Sequence, residues 1–346
     1  MSCATCPASM LLLCPLLLVV PLCIVVGLTL LYSMFRGTLE DPKTLAGDLA
    51  VINDAYDYNA HFPQNDFALG DVMRYFKATT DLDYWLLERF VGPGMHTVLT
   101  PRTPWVKSNA RQCVFVMIHI RGSAASVLEV GCGRGFCTLN LAELFPEAKF
   151  LGVDAVDRHV EVARKAAADA GIKNAEFREQ DMLSEPSGTY GVIFGVESLC
   201  YMDTPKKRMR FMQNAAAMLE NWGCVVIVDG FRSASFDTKS AELQVATCLA
   251  ERGFRIKRLA SKEDWINAAR SAGLRLVRDL DLTEEAIPFW TKGWRVARTV
   301  LQAFPYFARW LVAHRPETAA NLLAVATTAF ALRGGAAEYG VLVFKR

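Results

Sequence analysis

The chain lacks any long block of Lys or Arg, and its net charge of +2, with a pI near 8.0, exerts no strong pull on phosphate polymers. Nucleic acid is therefore not the expected partner. No Asn-x-Ser/Thr sequon occurs anywhere in the 346 residues, which fits a body facing the cytosol. There is no internal repeat and no low-complexity tract, so a solenoid or a disordered tail is excluded as the main architecture. Ten cysteines are present, yet only Cys3 and Cys6 form a CxxC, and no second pair or His cluster accompanies them. No metal site is expected, and the remaining cysteines, scattered through apolar segments, read as reduced buried thiols.

Charge is also missing from one end. No Lys or Arg precedes Arg36, and the run from Met10 to Met34, "MLLLCPLLLVVPLCIVVGLTLLYSM", carries no charge at all. A bilayer core needs roughly 20 apolar residues, so this run predicts an uncleaved transmembrane anchor within residues 1–36; a cleaved signal normally has a basic leader. Arg36 and Lys43 follow the span, which predicts a cytosol-facing body on a membrane such as the endoplasmic reticulum. With 52% hydrophobic residues and a mean hydropathy of +0.19, the composition agrees with some membrane contact.

From Ser126 onward the chain alternates short apolar runs, "SVLEVG", "KFLGVDAV", "NAEFREQDM", "YGVIFGVESL" and "GCVVIVDGF", with amphipathic stretches. Strand alternating with helix predicts an α/β fold with an open, largely parallel sheet covered on both faces. The helices "DRHVEVARKAAADAG" and "TPKKRMRFMQNAAAMLENWG" are expected to stop at Gly171 and Gly223. After "GLRLVRDLDLTEEA" an aromatic and basic insertion of about fifty residues, roughly 287–335, precedes a last strand "YGVLVFKR". A connection of that length predicts a helical lid. The stripe Trp294, Ala297, Leu301 and Phe304, with Arg295, Arg298 and Arg309 among it, is either core or a face resting on a bilayer.

The run "VLEVGCGRGFC" joins a strand to a glycine turn at the carboxyl edge of the sheet, where ligands of such folds bind. A dinucleotide turn needs glycine at its first, third and sixth positions, but the sixth here is Phe136, which disfavours a nicotinamide-dependent oxidoreductase. Glu129 precedes the turn by two residues, where a carboxylate gains nothing from a pyrophosphate and much from an ammonium. Asp154 closes the second apolar run, where it can accept from ribose hydroxyls, and Asp181 closes the third, where it can accept from an adenine amino group. S-adenosylmethionine offers those donors together.

On these residues the chain resembles the class I S-adenosylmethionine-dependent methyltransferases, and within them the sterol and tocopherol C-methyltransferase branch. The resemblance rests on "VLEVGCGRG", "GVDAVDRHVEVAR", the stretch from "GVESLCYMD" to "VVIVDGF", and "DLTEEAIPFW". It implies a Rossmann-like seven-stranded sheet with an antiparallel last strand, in a domain spanning 121–346, preceded by an extension, 37–120, that covers the active site. It also implies that Glu129, Gly131, Gly133 and Gly135 surround the methionine end of the cofactor, Asp154 and Ala155 the ribose, Asp181 and Met182 the adenine, with Val196 beside them. Glu197 matches the acid of the family's motif after the fourth strand, either taking a proton from the acceptor or orienting it. Where the branch has His, this chain has Tyr201, which could hold a cation by its ring or simply pack. His96 is read as a structural histidine. The activity implied is methyl transfer to a small lipophilic acceptor such as a sterol, prenyl-quinol or other isoprenoid; a non-catalytic protein that binds cofactor or lipid is the alternative.

Overall fold

Seven strands form one sheet in the order β3-β2-β1-β4-β5-β7-β6. The structure, a computed structural model, describes residues 42–62, 67–78, 84, 88, 96–100, 110–120, 125–184 and 187–346. The strands are β1 (Ser126–Val130), β2 (Lys149–Asp154), β3 (Ala175–Glu179), β4 (Tyr190–Val196), β5 (Leu219–Arg232), β6 (Arg275–Asp281) and β7 (Ala337–Lys345). β1 to β5 pair in parallel, whereas β7 runs antiparallel between β5 and β6. The helices are α1 (Pro42–Tyr56), α2 (Leu69–Ala78), α3 (Arg111–Met117), α4 (Phe136–Leu144), α5 (Asp157–Asp169), α6 (Pro205–Met218), α7 (Ala241–Gly253), α8 (Lys262–Ser271), α9 (Thr283–Ala303), α10 (Pro305–His314) and α11 (Pro316–Arg333). The expected α/β class and the antiparallel last strand are what is found.

The pleat sorts the core. Val127, Val192, Phe194, Val226, Val228, Val341 and Val343 point to one face, which α3 and α4 cover, while Leu128, Ile193, Val225, Ile227 and Leu342 point to the other, against α6 and α8. Central strands buried on both sides read as continuous apolar runs, which is why they were visible in the sequence. The two edge strands differ: β3 exposes Glu176, Arg178 and Glu179, and β6 exposes Arg275, Arg278, Asp279 and Asp281. Charge on those rims discourages pairing with another sheet.

One expected stop is misplaced. α5 ends as anticipated, with Gly171 in the left-handed region at φ 69°. α6 ends at Met218, and Gly223 lies inside β5. Between Tyr190↔Leu219 and Val192↔Cys224 the fourth strand advances two residues and the fifth advances five, so β5 bulges there. A side chain at Gly223 would stand 3.0 Å from the Gly191 carbonyl, so close strand approach selects this glycine, not a helix stop.

The insertion before β7 is three helices, α9 to α11. Its aromatic stripe turns inward: Trp294, Ala297 and Leu301 are buried, in clusters with residues of α1, α7 and α11. Asp48 of α1 is the polar pin of this layer. It is 5% exposed, accepts from the Trp294 indole at 2.7 Å, and faces the Arg298 guanidinium at 2.8 Å. The bilayer-facing version of the stripe is thereby corrected.

The membrane placement is corrected as well. Among the described residues no helix is long and apolar enough to cross a membrane. The run Met10–Met34, on which the expected anchor and its cytosol-facing orientation depended, lies outside the described residues.

Removing the pin leaves a buried indole N–H without its acceptor and Arg298 without its carboxylate. Asp48→Ala is expected to lower stability by about 2–3 kcal/mol, read by urea denaturation.

Candidate active site

The carboxyl ends of β1, β2, β4 and β5 open into a cavity of about 510 Å³. After β1 the chain passes through Gly131, Gly133 and Gly135 at φ 68°, 53° and 84° before entering α4. Only glycine takes such angles without strain, and the three serve different ends. A side chain on Gly131 would collide with Ser198 at 2.4 Å, and one on Gly135 with Phe177 and Ala163 at 2.8 and 2.9 Å. At Gly133 nothing lies within 4 Å, so this position faces open space in the cavity wall.

Of the residues singled out from sequence, Gly131, Gly133, Asp154, Ala155, Asp181, Met182, Val196, Glu197 and Tyr201 all line this cavity. Glu129 and Gly135 lie behind its wall. Gly135 is the N-cap of α4 and provides no capping side chain; Glu129 Oε2 substitutes, accepting from the Thr138 N–H at 2.9 Å and from the Thr138 hydroxyl. Thr138 is the third residue of α4, so the carboxyl does the work of a cap from the neighbouring strand. Burial pushes this carboxyl up to about 8 from its ordinary 4.5.

Asp154 shapes the turn and faces the cavity together. Oδ2 accepts from Gly133 N at 2.8 Å, Oδ1 from Val156 N at 2.9 Å, and His159 Nδ1 stands 3.3 Å from Oδ1. A carboxylate offers about four lone-pair sites, so acceptor capacity remains. Asp181, two residues beyond β3, accepts from Leu183 N at 2.9 Å.

Glu197, directly after β4, has φ 50°, an angle costly for a residue with a side chain. Its backbone N–H donates to Val228 O at 2.8 Å, and Oε1 accepts from Thr97 N at 2.8 Å and Tyr339 O–H at 2.6 Å. Gln112 closes the ring by donating to Thr97 O at 2.5 Å and to the Tyr339 hydroxyl at 3.3 Å. The segment before β1, the end of β4 and β7 are thus tied at one carboxylate. Both hydrogen bonds go to Oε1, which leaves Oε2 for whatever enters.

Tyr201 uses its hydroxyl to donate to Phe254 O at 3.1 Å, and its ring meets Phe76 edge-on at 5.9 Å. The cavity is offered the ring more than the hydroxyl. His96 also lines the cavity, and burial holds its imidazole below the ordinary value, in keeping with a neutral structural histidine.

The sequence reading missed Asp229. It is 4% exposed, lines the cavity, and accepts from Cys200 N at 2.9 Å and Gly230 N at 2.8 Å. Burial pushes its carboxyl up to about 7, and the Glu197 charge pushes the same way. The signal was available, since Asp229 closes the apolar run "CVVIV" much as Asp154 closes "LGV".

Two outcomes test this geometry. Asp154→Ala removes acceptors from the glycine turn and the cavity wall, and is expected to weaken binding of S-adenosylhomocysteine by about 10–100-fold, or about 1–3 kcal/mol, by calorimetry. Glu129 holds a proton in the folded chain between about pH 4.5 and 8 that the unfolded chain has released. Its contribution to stability is present below that window and is lost as pH rises through it. Relative to Glu129→Gln, the parent chain is therefore expected to lose stability from pH 5 to pH 9 in denaturation measured across pH.

Comparison with known proteins agrees with this geometry. Residues 121–264 match the family model described as a methyltransferase domain. The polyketide synthase ThaQ of Burkholderia thailandensis is 24% identical over 181 residues, which are 52% of this chain and 8% of the synthase. The probable methyltransferase ltbC of Aspergillus luteorubrus is 26% identical over 147 residues, 40% of this chain and 50% of that protein. The chain thus spans half or less of these two relatives. Among solved structures, geranyl diphosphate C-methyltransferase from Streptomyces coelicolor A3(2) superposes with a TM-score of 0.60 at 18% identity, covering 80% of this chain and 97% of that one. The cyclopropane synthase MmaA2 from Mycobacterium tuberculosis gives 0.63 at 12% identity, covering 79% and 98%. These likenesses establish the fold. Residues 121–264 carry a class I methyltransferase domain whose cofactor is S-adenosyl-L-methionine.

Proposed function

We propose that the chain transfers a methyl group from S-adenosyl-L-methionine to a small lipophilic acceptor, of the sterol, prenyl-quinol or other isoprenoid kind. The observation that carries this reading is the cavity itself. It continues from the glycine turn into a chamber walled by Leu69, Val72, Met73, Phe76, Phe254 and Trp290. A mostly apolar chamber with a few placed polar groups suits an apolar ligand of modest size.

The cofactor suits the residues at the other end. Gly133 leaves room where a side chain would fill the cradle, and Asp154 and Asp181 keep acceptor capacity for a ribose and an adenine, with Ala155, Met182 and Val196 beside them. Glu129 and Gly135 contribute from behind by fixing the turn. When bound, S-adenosyl-L-methionine supplies a methyl group on a sulfonium, an electrophile with a neutral leaving group. The chain's own task is then to position the acceptor and keep water out. In this reading the segment 37–120 acts as a cover and α9 to α11 as a lid. Glu197 Oε2 orients the acceptor or takes its proton where it has one to lose, and Tyr201 holds the acceptor through its ring.

The test is incubation of the full chain with methyl-labelled cofactor and a total lipid extract, followed by organic extraction. Label in the organic phase is expected with the parent and to fall at least about tenfold with Asp154→Ala. No label above background, with S-adenosylhomocysteine still bound, would overturn the lipophilic acceptor.

A further inference from the structure

The charges around the chamber are unevenly settled. Among the described residues, each Lys or Arg on or beside the wall named here already faces an acid: Lys207 Nζ stands 2.8 Å from Asp203, Arg232 is 2.5 Å from Glu251, Lys262 is 2.8 Å from Asp279 and 3.4 Å from Glu338, and Arg134 is 3.5 Å from Glu88. Glu197 and Asp229, by contrast, face no Lys or Arg among the described residues. Their hydrogen bonds come from backbone N–H groups, one tyrosine hydroxyl and, at Asp229, the Cys200 thiol. They are neighbours, because Glu197 N donates to the carbonyl of Val228, the residue before Asp229.

A third acceptor stands beside them. Thr97 lines the cavity and is 1% exposed, and while its N–H is spent on Glu197 its Oγ1 has no partner among the described residues. A buried hydroxyl without a partner costs free energy until something supplies one. Around this group the walls are aromatic: Phe76 and Tyr201 meet edge-on, as do Phe254 and Trp290 at 5.8 Å.

We infer that the chamber recognises a lipophile bearing an ammonium group, held between Glu197, Asp229 and Thr97 with its apolar body along the aromatic walls. An ammonium brings donors where the site offers acceptors, and a positive charge where two carboxylates have none. A phosphorylated isoprenoid brings the opposite charge and meets no uncommitted Lys or Arg among the described residues. The inference rests on the reading of the cavity as a lipophilic acceptor site, and narrows it to one class.

The experiment uses three probes with the same ten-carbon body: geranylamine, geraniol and geranyl diphosphate. Each is titrated calorimetrically into the full chain saturated with S-adenosylhomocysteine. The amine is expected to bind at least about tenfold more tightly than the alcohol, and the diphosphate not at all. In Asp229→Asn the amine-to-alcohol ratio is expected to fall toward one; because both probes are read on the same preparation, partial unfolding cancels from the ratio. A parent ratio near one, an unchanged ratio in Asp229→Asn, or a diphosphate that binds as well as the amine overturns the ammonium assignment and leaves the lipophilic reading standing. If S-adenosylhomocysteine binds but neither the amine nor the alcohol does, the lipophilic reading falls, and this inference with it.

Discussion

Between β1 and α4 the chain must leave the sheet, turn and start a helix within five residues, with three backbone positions in the left-handed region. Glycine at all three makes that turn possible but leaves a helix start with no capping side chain. The cap then has to come from elsewhere, and Glu129 supplies it from the strand at the cost of being buried where its charge is disfavoured. Asp154, on the adjoining strand, holds the turn from the other side by accepting from Gly133 N. Two carboxyls on neighbouring parallel strands thus define where the turn's backbone lies. The open face at Gly133 is a consequence of that bracing.

The second fixed point is Glu197, where a side chain is forced into a conformation better suited to glycine. Strain of this kind costs about 1–3 kcal/mol and persists only where surroundings over-determine it. Here they do, through Val228, Thr97, Tyr339 and Gln112. Those partners come from β5, β7 and the segment before β1 that includes α3, three parts of the chain far apart in sequence. The last strand's antiparallel insertion matters for this reason: it brings Tyr339 to the carboxyl end of β4, where a parallel neighbour would have brought its own N-terminal turn elsewhere.

Legibility in the sequence follows the physics of each part. The central strands could be read because burial on both faces leaves uninterrupted apolar runs, and the glycines and acids of the cavity wall because they sit within a few residues of strand ends. The true end of α6 could not, since a three-residue excess in β5 is a property of pairing with Tyr190 and Val192, not of the segment itself. Glu129 was recognised as important, but its attachment to Thr138 depends on which face of β1 looks at α4, and so its place behind the wall was hidden. Asp229 closes an apolar run as Asp154 does, although β5 itself continues beyond it to Arg232. The aromatic stripe of α9 was ambiguous from spacing alone, and Asp48, some 250 residues away in the chain, decided it.

Two described stretches before β1 pack onto the fold in different places. α1 is set into the apolar layer of α7, α9, α10 and α11 through Ile52, Ala55 and Tyr56, each nearly fully buried. Burial of this kind contributes about 1.5–3 kcal/mol per large side chain. α2 and Tyr84 line the cavity, where Tyr75 is buried and donates to Asn321 of α11. Tyr84 O–H lies 2.7 Å from His159 Nε2, the Arg134 guanidinium stacks 3.8 Å from the Tyr84 ring, and Lys77 pairs with Asp157 at 3.0 Å on the surface. The first two contribute about 1 kcal/mol or less apiece, and the surface pair is screened by water. Asp154 can only accept, so His159 Nδ1 is the donor in the contact between them. This wall of the cavity is therefore joined, through the His159 ring, to the same carboxylate that braces the glycine turn.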